Sequence, residues 1–171
     1  MAEQFEEVPY QVPLAPNPDG GGIAVFEVWI KTTPERLWEA ITDPELRARY
    51  SFGTLIESDW TEGSPYAGKA GDYVITEGVN TVVDPPNRLV QTFTAKWSPE
   101  VESMGASRVT WEIRAVADSC QLTVIHDELP ADANPELYGG WPMILSGLKT
   151  LVETGADLTT PGSLRYSEMA G

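Results

Sequence analysis

The most constraining feature of this sequence is an apolar stripe near its C-terminal end. Residues 139–155 read GGWPMILSGLKTLVETG, in which large apolar side chains recur at steps of three and four: Trp141, Ile144, Leu145, Leu148, Leu151 and Val152. This spacing predicts an amphipathic helix of about four turns. Pro142 suits the first turn of a helix that begins near Trp141, whereas a helix that begins after Pro135 would be kinked at Pro142. Gly155 suits a left-handed cap at its end, and so apolar a helix requires a large partner surface.

Length and charge limit the classes of protein to consider. A chain of 171 residues, 42% of them hydrophobic, is long enough for one domain with a substantial core and short for two. The formal net charge is -15, whereas nucleic-acid affinity comes largely from lysine and arginine on phosphates. We therefore expect no nucleic acid among the partners and no attraction to anionic membrane surfaces.

The cysteine content and the N-terminus indicate a reducing, intracellular setting. Cys120 is the single cysteine, so neither an intramolecular disulfide nor a cysteine-based metal cluster can form. One histidine cannot make a typical zinc site either, and we expect no metal and no cofactor. The start MAEQFEEVPY lacks the parts of a signal peptide, and no apolar run approaches the ~18 residues that a bilayer crossing needs. We expect a cytoplasmic protein without membrane insertion.

Composition divides the chain into three regions. Residues 1–22 are acidic and rich in proline and glycine, which predicts an extended arm that buries little. Residues 23–155 carry the regular hydrophobic patterns and are predicted to form the domain. Residues 156–171 follow the terminal helix as a short tail.

Alternating strand patterns fill most of the predicted domain. Residues 23–31 form the first strand, and two short helices follow, one that opens at Thr33-Pro34 and one that is capped by Asp43. Turn signals then separate five further strands: 52–60, 73–83, 88–97, 107–117 and 120–129. This order is typical of an α+β protein. A curved antiparallel sheet of about six to seven strands must bury one face, and the long terminal helix supplies the cover over a cavity.

Five stretches in register resemble one family. They are VWIKTTPERLWEAIT (28–42), SDWTEGSP (58–65), GVNTVVDPPNRL (78–89), LTVIHDEL (122–129) and GWPMILSGLKTLVETG (140–155), and the resemblance covers residues 25–155. By these stretches the chain resembles the heat-shock-protein-90 ATPase activator homologues. That family lies within the START and Bet v 1-like superfamily (SRPBCC, polyketide cyclase/dehydrase-type). The resemblance implies a helix-grip fold, with a ligand pocket between the sheet and the C-terminal helix.

Strand parity predicts which side chains line that pocket. Side chains two positions apart share one face of a strand, and the apolar face of each strand should point toward the helix. These inward rows are apolar with a few polar interruptions, which is what a small-molecule site needs. The predicted ligand-binding residues are Gln91, Phe93, Trp97, Trp111, His126 and Glu128 on the strands, Trp141, Met143 and Leu145 on the helix, and Tyr73 at the rim.

His126 is the sharpest candidate because it is the only histidine in the chain. Three roles are open to it: a core histidine hydrogen-bonded to a hydroxyl or to Glu128, a polar contact to a bound ligand, or an acid or base. Asp127 should point to the opposite face of the sheet, because adjacent strand residues diverge. These three residues therefore do not form a catalytic triad, and we assign no catalytic residue.

Three functions follow from these observations. The hypothesis that we prefer is non-catalytic binding or transport of a small hydrophobic or amphipathic molecule between the sheet and the terminal helix. A cochaperone-like protein-interaction module is an alternative that the family resemblance implies. A cyclase or hydrolase of polyketide-like substrates is the alternative that the wider superfamily implies. A homodimer is compatible with all three, and the sequence does not decide the oligomeric state.

Overall fold

A computed structural model describes residues 15–16 and 22–164. The strands are β1 (Ala15–Pro16), β2 (Gly22–Ile30), β3 (Leu55–Ser58), β4 (Pro65–Ala70), β5 (Tyr73–Asp84), β6 (Arg88–Ala95), β7 (Ala106–Val116) and β8 (Ser119–Leu129). The helices are α1 (Pro34–Thr42), α2 (Pro44–Tyr50), α3 (Pro99–Glu102) and α4 (Trp141–Thr154), and a 3₁₀ helix spans Pro135–Leu137. The strands form one antiparallel sheet in the order β1-β2-β8-β7-β6-β5-β4-β3. The predicted α+β architecture is confirmed, with β1 as a two-residue addition at one edge.

The terminal helix ends where the sequence predicts, and it begins at the first of the two starts that the sequence left open. α4 starts at Trp141 with Pro142 in its first turn, and the separate 3₁₀ helix precedes it. Gly155 follows α4 with a φ angle of 77°, and its N–H donates to the carbonyl of Leu151. Glycine suits this position because a left-handed backbone has no steric cost without a Cβ atom.

One face of the sheet and the buried side of α4 form the core. Buried side chains occupy alternating positions along most of β7 and β8, as the strand parity predicts: Val109, Trp111, Cys120, Leu122, Val124 and His126. They share the core with Trp141, Leu145, Leu148 and Leu151 of α4. α4 also packs against β2, α1 and α2. Full burial of each large apolar side chain contributes about 1.5 to 3 kcal/mol before entropy is subtracted.

The two short helices begin at side-chain caps. The Thr33 hydroxyl accepts a hydrogen bond from the N–H of Arg36, and the Asp43 carboxylate accepts one from the N–H of Leu46. Such caps satisfy N–H groups that have no partner inside the helix. The predicted helix starts are confirmed, and Asp43 lets α2 follow α1 without a loop.

Two further elements lie in intervals that the sequence left unassigned. The interval between the predicted strands 52–60 and 73–83 contains β4, which pairs with both β3 and β5. Alanine and glycine have low strand propensity, so this strand depends on its two neighbours. The interval between the predicted strands 88–97 and 107–117 contains the short helix α3, in which the Ser98 hydroxyl caps the N–H of Val101.

The predicted inward orientation of Glu128 is wrong. Glu128 has a φ angle of 57°, at the point where the register between β2 and β8 shifts. A β-bulge of this kind adds one residue to a strand and interrupts the alternation of its side chains. The Glu128 side chain is therefore exposed and lies 3.5 Å from Arg108, whereas Leu129 is buried.

The ends of the chain are described in part. Most of the predicted arm, residues 1–14 and 17–21, lies outside the described residues, while Ala15 and Pro16 pair with the start of β2. Of the predicted tail, residues 165–171 also lie outside them. The described part of the tail returns to the domain, where Asp157 forms an ion pair with Arg49. None of the described helices has the length and apolarity that a bilayer crossing requires.

Gly78 on β5 lies where two neighbouring strands crowd its backbone. A Cβ atom at this position would lie 2.0 Å from the carbonyl oxygen of Thr92 and 2.8 Å from the ring of Tyr66. Tyr66 pairs with Gly78 across β4 and β5, and its hydroxyl donates to the Thr92 carbonyl at 2.6 Å. The absence of a side chain at Gly78 thus lets the Tyr66 ring lie over the strand.

We predict that Gly78→Ala lowers the free energy of unfolding by about 1 to 3 kcal/mol, the usual effect of an extra methyl group in a packed site. The Thr92 carbonyl belongs to the sheet backbone and has little freedom to move. Gly140→Ala is the control, since its Cβ atom would meet only Phe52, at 3.7 Å. It should change the free energy by about 0.5 kcal/mol or less. Urea unfolding measures both variants, and equal values would contradict the crowding at Gly78.

Candidate ligand-binding cavity

A cavity of about 140 Å³ lies at one end of the interior, between the sheet and the start of α4. Its walls come from α2 and the segment after it, from β3, β5 and β6, and from the 3₁₀ helix and α4. The lining residues are Arg47, Ser51, Phe52, Thr54, Ile56, Ile75, Thr76, Phe93, Trp97, Glu136, Leu137, Tyr138, Gly140, Trp141 and Ile144. The start of the terminal helix thus helps to enclose a space that side chains do not fill.

Three of the predicted ligand-binding residues line this cavity: Phe93, Trp97 and Trp141. Phe93 and Trp97 meet edge to face, with ring centroids 6.4 Å apart. Trp141 meets Trp111 in the same way at 5.2 Å. Trp111 itself is 1% exposed and lies behind the wall. The lining is therefore aromatic on the sheet and helix sides, and rigid rings of this kind contribute large contact areas to a bound molecule.

His126 lies beneath this aromatic wall with both ring nitrogens engaged. Its Nδ1 accepts a hydrogen bond from the indole N–H of Trp141 at 3.2 Å. Nδ1 therefore carries no proton, and the proton of the neutral ring is on Nε2, 2.7 Å from the hydroxyl of Ser107. The Ser107 hydroxyl in turn donates to the Phe93 carbonyl at 3.3 Å.

Burial keeps the His126 ring neutral. The side chain is fully buried, and this burial lowers its pKa from 6.5 to about 4, although the nearby Asp127 carboxylate acts weakly in the opposite direction. The Phe93 ring covers it edge to face at 5.1 Å. As placed here, His126 is hydrogen-bonded within the core and is not among the cavity-lining residues.

Gln91 and Asn80 form a second buried polar group, away from the cavity lining. The Gln91 amide donates to the Asn80 side-chain oxygen at 2.9 Å. The Asn80 amide donates to the hydroxyls of Ser58 and Ser64. Since buried polar groups are costly when unpaired, this network fixes the turn between β3 and β4 to the central strands.

Four further predicted residues lie elsewhere in the fold. Glu128 is exposed beside Arg108 on the outer side of the sheet. Tyr73 is 79% exposed, at the start of β5. Leu145 is buried in the core, and Met143 lies near Gly162 in the segment after α4. These positions differ from the prediction because strand parity and helix periodicity do not show where along an element the cavity lies.

Arg47 is a cavity-lining residue that the sequence did not single out. Its Nε donates to the Ser51 hydroxyl and its Nη1 donates to the Ile41 carbonyl, both at 2.9 Å. Its guanidinium carbon lies 4.8 Å from the centroid of the Trp111 ring, within range of a cation–π interaction. A helix surface with several charged residues gives no local signal that one of them turns inward.

The 3₁₀ segment and the α2–β3 connection contribute further residues to the lining. Tyr138 follows the 3₁₀ helix, whose start is capped by the Asn134 side chain through the N–H of Glu136. Phe52 has a φ angle of 57°, which directs the chain from α2 into β3.

Among the described residues, no group of three or more His, Cys, Asp or Glu side chains is arranged to hold a metal ion.

The sheet, the covering terminal helix and the enclosed cavity together define a helix-grip protein. Residues 31–153 match the family model described as Activator of Hsp90 ATPase homolog 1-like protein. The chain belongs to this family, and the resemblance found in the sequence is confirmed. No curated protein sequence matched the chain.

Solved structures share this fold at low sequence identity. CalU16 from Micromonospora echinospora is 21% identical, with a TM-score of 0.66 over 92% of this chain and 89% of that chain. PFC0360w, an HSP90 activator from Plasmodium falciparum, is 22% identical, with a TM-score of 0.63 over 75% and 94% of the two chains. The Aha1 dimer from Colwellia psychrerythraea is 14% identical, with a TM-score of 0.64 over 78% and 97%. At these identities the likeness concerns the fold.

The hydrogen bonds of His126 predict a pH dependence of stability. Between pH 6.5 and 4 the unfolded chain binds a proton at His126 that the folded chain does not, so stability falls as the pH is lowered through this window. From pH 7.5 to pH 5 the free energy of unfolding should fall by about 2 kcal/mol because of this residue. Chemical denaturation at each pH measures it.

His126→Gln is the control for this prediction. The variant lacks a group that titrates in this range. Its free energy of unfolding should therefore fall by about 2 kcal/mol less than that of the unmodified protein between pH 7.5 and pH 5. Because His126 is the only histidine, its imidazole signals also report the folded-state pKa directly by NMR. Parallel pH profiles of the two proteins, or a folded-state pKa near 6.5, would contradict the buried neutral ring.

Proposed function

We propose that this protein binds a small hydrophobic or amphipathic molecule in the cavity at the start of α4, without catalysis. The observation that carries the proposal is a space of about 140 Å³ that is partly open to solvent and has aromatic walls from Phe93, Trp97 and Trp141. Side chains in most protein interiors leave few voids larger than a water molecule, so an apolar space of this size is a candidate site.

The volume limits the size of the guest. Sites for drug-sized ligands usually have roughly 300 to 1,000 Å³. An engineered apolar cavity of roughly 150 Å³ in another protein holds benzene. The space beside Trp141 is close to the second value, so we propose a guest with one ring or a short branched chain inside the cavity. A larger molecule would leave its remaining atoms at the mouth or displace the lining.

The polar lining supports an amphipathic guest. Arg47, Glu136 and the hydroxyl-bearing residues Thr54 and Thr76 lie in the same wall as the aromatic rings. A few fixed polar groups in an apolar pocket orient a ligand, while the apolar area supplies most of the affinity. All of these positions lie within residues 31–153, the part of the chain that matches the family model. We take residues 23–155 as the binding domain.

The first test fills the cavity. Fluorobenzene, a neutral single-ring probe, should bind the unmodified protein and shift or broaden its ¹⁹F NMR signal. Ile144→Trp places a larger side chain into the lining and should weaken this binding by about tenfold or more, since one displaced ring removes the contact area of the probe. The matched control is Ser146→Trp on the exposed side of the same helix, which should leave binding within about twofold.

Two results would overturn the proposal. Fluorobenzene that fails to bind the unmodified protein shows that the cavity does not accept a ring. Equal weakening by Ile144→Trp and Ser146→Trp shows that the probe binds elsewhere. Urea unfolding of both variants establishes that each is folded under the conditions of the binding measurement.

A cochaperone-like role is the second candidate, and the family match is the observation that favours it. One solved structure with this fold is described as an HSP90 activator. An acidic chaperone would need a basic surface here, yet the formal net charge is -15, so we rank this role lower. The test is the ATPase rate of the Hsp90 chaperone from the same organism, measured with and without this protein. Stimulation of that rate would rank the cochaperone role above ligand binding.

A further inference from the structure

Arg47 differs from the other basic residues in the part of the chain that the structure describes. Seven lysines and arginines in this part form ion pairs with Asp or Glu: Lys31, Arg49, Lys69, Arg88, Lys96, Arg108 and Lys149. Arg36 and Arg114 are exposed to solvent. Arg47 is half-buried in the cavity wall and has no carboxylate within 4.0 Å among the described residues. It therefore keeps its charge inside the fold without an anionic partner there.

The Arg47 guanidinium is held in one orientation by groups that are not charged. Two of its nitrogens donate, at 2.9 Å each, to the Ser51 hydroxyl and the Ile41 carbonyl. Its guanidinium carbon lies over the Trp111 ring, 4.8 Å from the ring centroid. The third nitrogen, Nη2, donates no hydrogen bond to any described residue. A guanidinium with a fixed plane and free N–H groups is well suited to a carboxylate, whose two oxygens match the spacing of its donors.

The cost of an unpaired interior charge favours an anionic ligand. A charge taken out of water is destabilising unless it is paired and hydrogen-bonded. The chain carries 26 acidic residues, and seven of the other described basic residues are ion-paired with one or more of them, whereas Arg47 lies in the cavity wall without such a partner. A carboxylate that enters the cavity would supply the partner that the protein does not.

Glu136 limits where such an anion can lie. Its carboxylate belongs to a residue of the same lining, and it makes no ion pair with Arg47 within 4.0 Å. An anion close to Glu136 would be repelled, and one beside Arg47 would be attracted. The ligand should therefore place its charged end at the Arg47 side of the cavity and its apolar part against Phe93, Trp97 and Trp141.

We propose that the cavity recognises organic monocarboxylates and that Arg47 binds their carboxylate group. The apolar part of such a ligand is about one ring in size, as the cavity volume requires. This inference rests on the proposed function, because it names the chemical class of the molecule bound at the same site. Arg47 sets the specificity of the site and takes part in no chemical step.

The test compares probes of the same shape and different charge. Benzoate, benzamide and benzamidinium are nearly isosteric, and their dissociation constants are measured by NMR titration at pH 7, with fluorobenzene as the neutral reference. Benzoate should bind at least about tenfold more tightly than benzamide, which is the usual effect of a charge-assisted hydrogen bond. Benzamidinium should bind most weakly of the three.

Variants locate this preference at Arg47. Arg47→Gln should remove the preference for benzoate over benzamide, and Arg47→Lys should retain part of it. The matched control is Arg114→Gln, which removes the same charge from an exposed arginine that hydrogen-bonds Gln121 and should keep the full preference. Glu136→Gln should raise benzoate affinity, since it removes the opposing charge.

The outcomes separate the two proposals. If no probe binds, both the proposed function and this inference fail. If fluorobenzene and benzamide bind and benzoate does not bind more tightly, only the inference fails. A benzoate preference that survives Arg47→Gln would also overturn it, because the anion would then be bound by another group. Should Arg47→Gln not fold, the benzoate and benzamide constants of the unmodified protein together with Glu136→Gln still decide the question.

Discussion

The arrangement of helix and sheet depends on the two hydrogen bonds of His126. The indole N–H of Trp141 reaches Nδ1 of a fully buried ring, and Ser107 on the neighbouring strand pairs with the other nitrogen. In an apolar interior each of these groups would be costly without its partner, so the chain of bonds specifies one rotation of α4 about its axis. Apolar packing alone would allow the helix several similar positions on the sheet.

The cavity is a consequence of that fixed rotation. Trp141 meets Trp111 in a T-shaped contact and also lines the cavity, so the packed core ends and the cavity begins at the first turn of α4. At its other end α4 is tied to the sheet, where Lys149 donates to the Trp29 carbonyl and Glu153 accepts from the N–H of Lys31. Since both ends are anchored, α4 cannot simply shift toward the α2–β3 connection to fill the gap. The space is therefore maintained by polar contacts that lie outside it.

Charge gives this space its chemical character. Most basic residues of the described chain are paired with carboxylates near the surface, where such pairs contribute little to stability. Arg47 is oriented by neutral groups and an aromatic face, so its positive potential remains directed at the cavity. An apolar site with one oriented cation differs from the more uniformly apolar interior that a carrier of neutral molecules would need. The family match establishes the framework of the protein, and the proposed preference for carboxylates rests on Arg47, a feature of this chain's own site.

Local patterns in the sequence are enough to predict most of the helices and strands and the faces that they bury. Helix periodicity located α4, Thr33 and Asp43 marked the helix starts, and alternation placed Trp111 and His126 inside, because each of these signals is set by residues a few positions apart. Only the tertiary structure decided that β4 is a strand, that Glu128 turns outward at a bulge, and that the cavity lies beside Arg47 instead of beside His126. Those outcomes depend on strand register and on contacts between residues far apart in the chain, which no local pattern encodes.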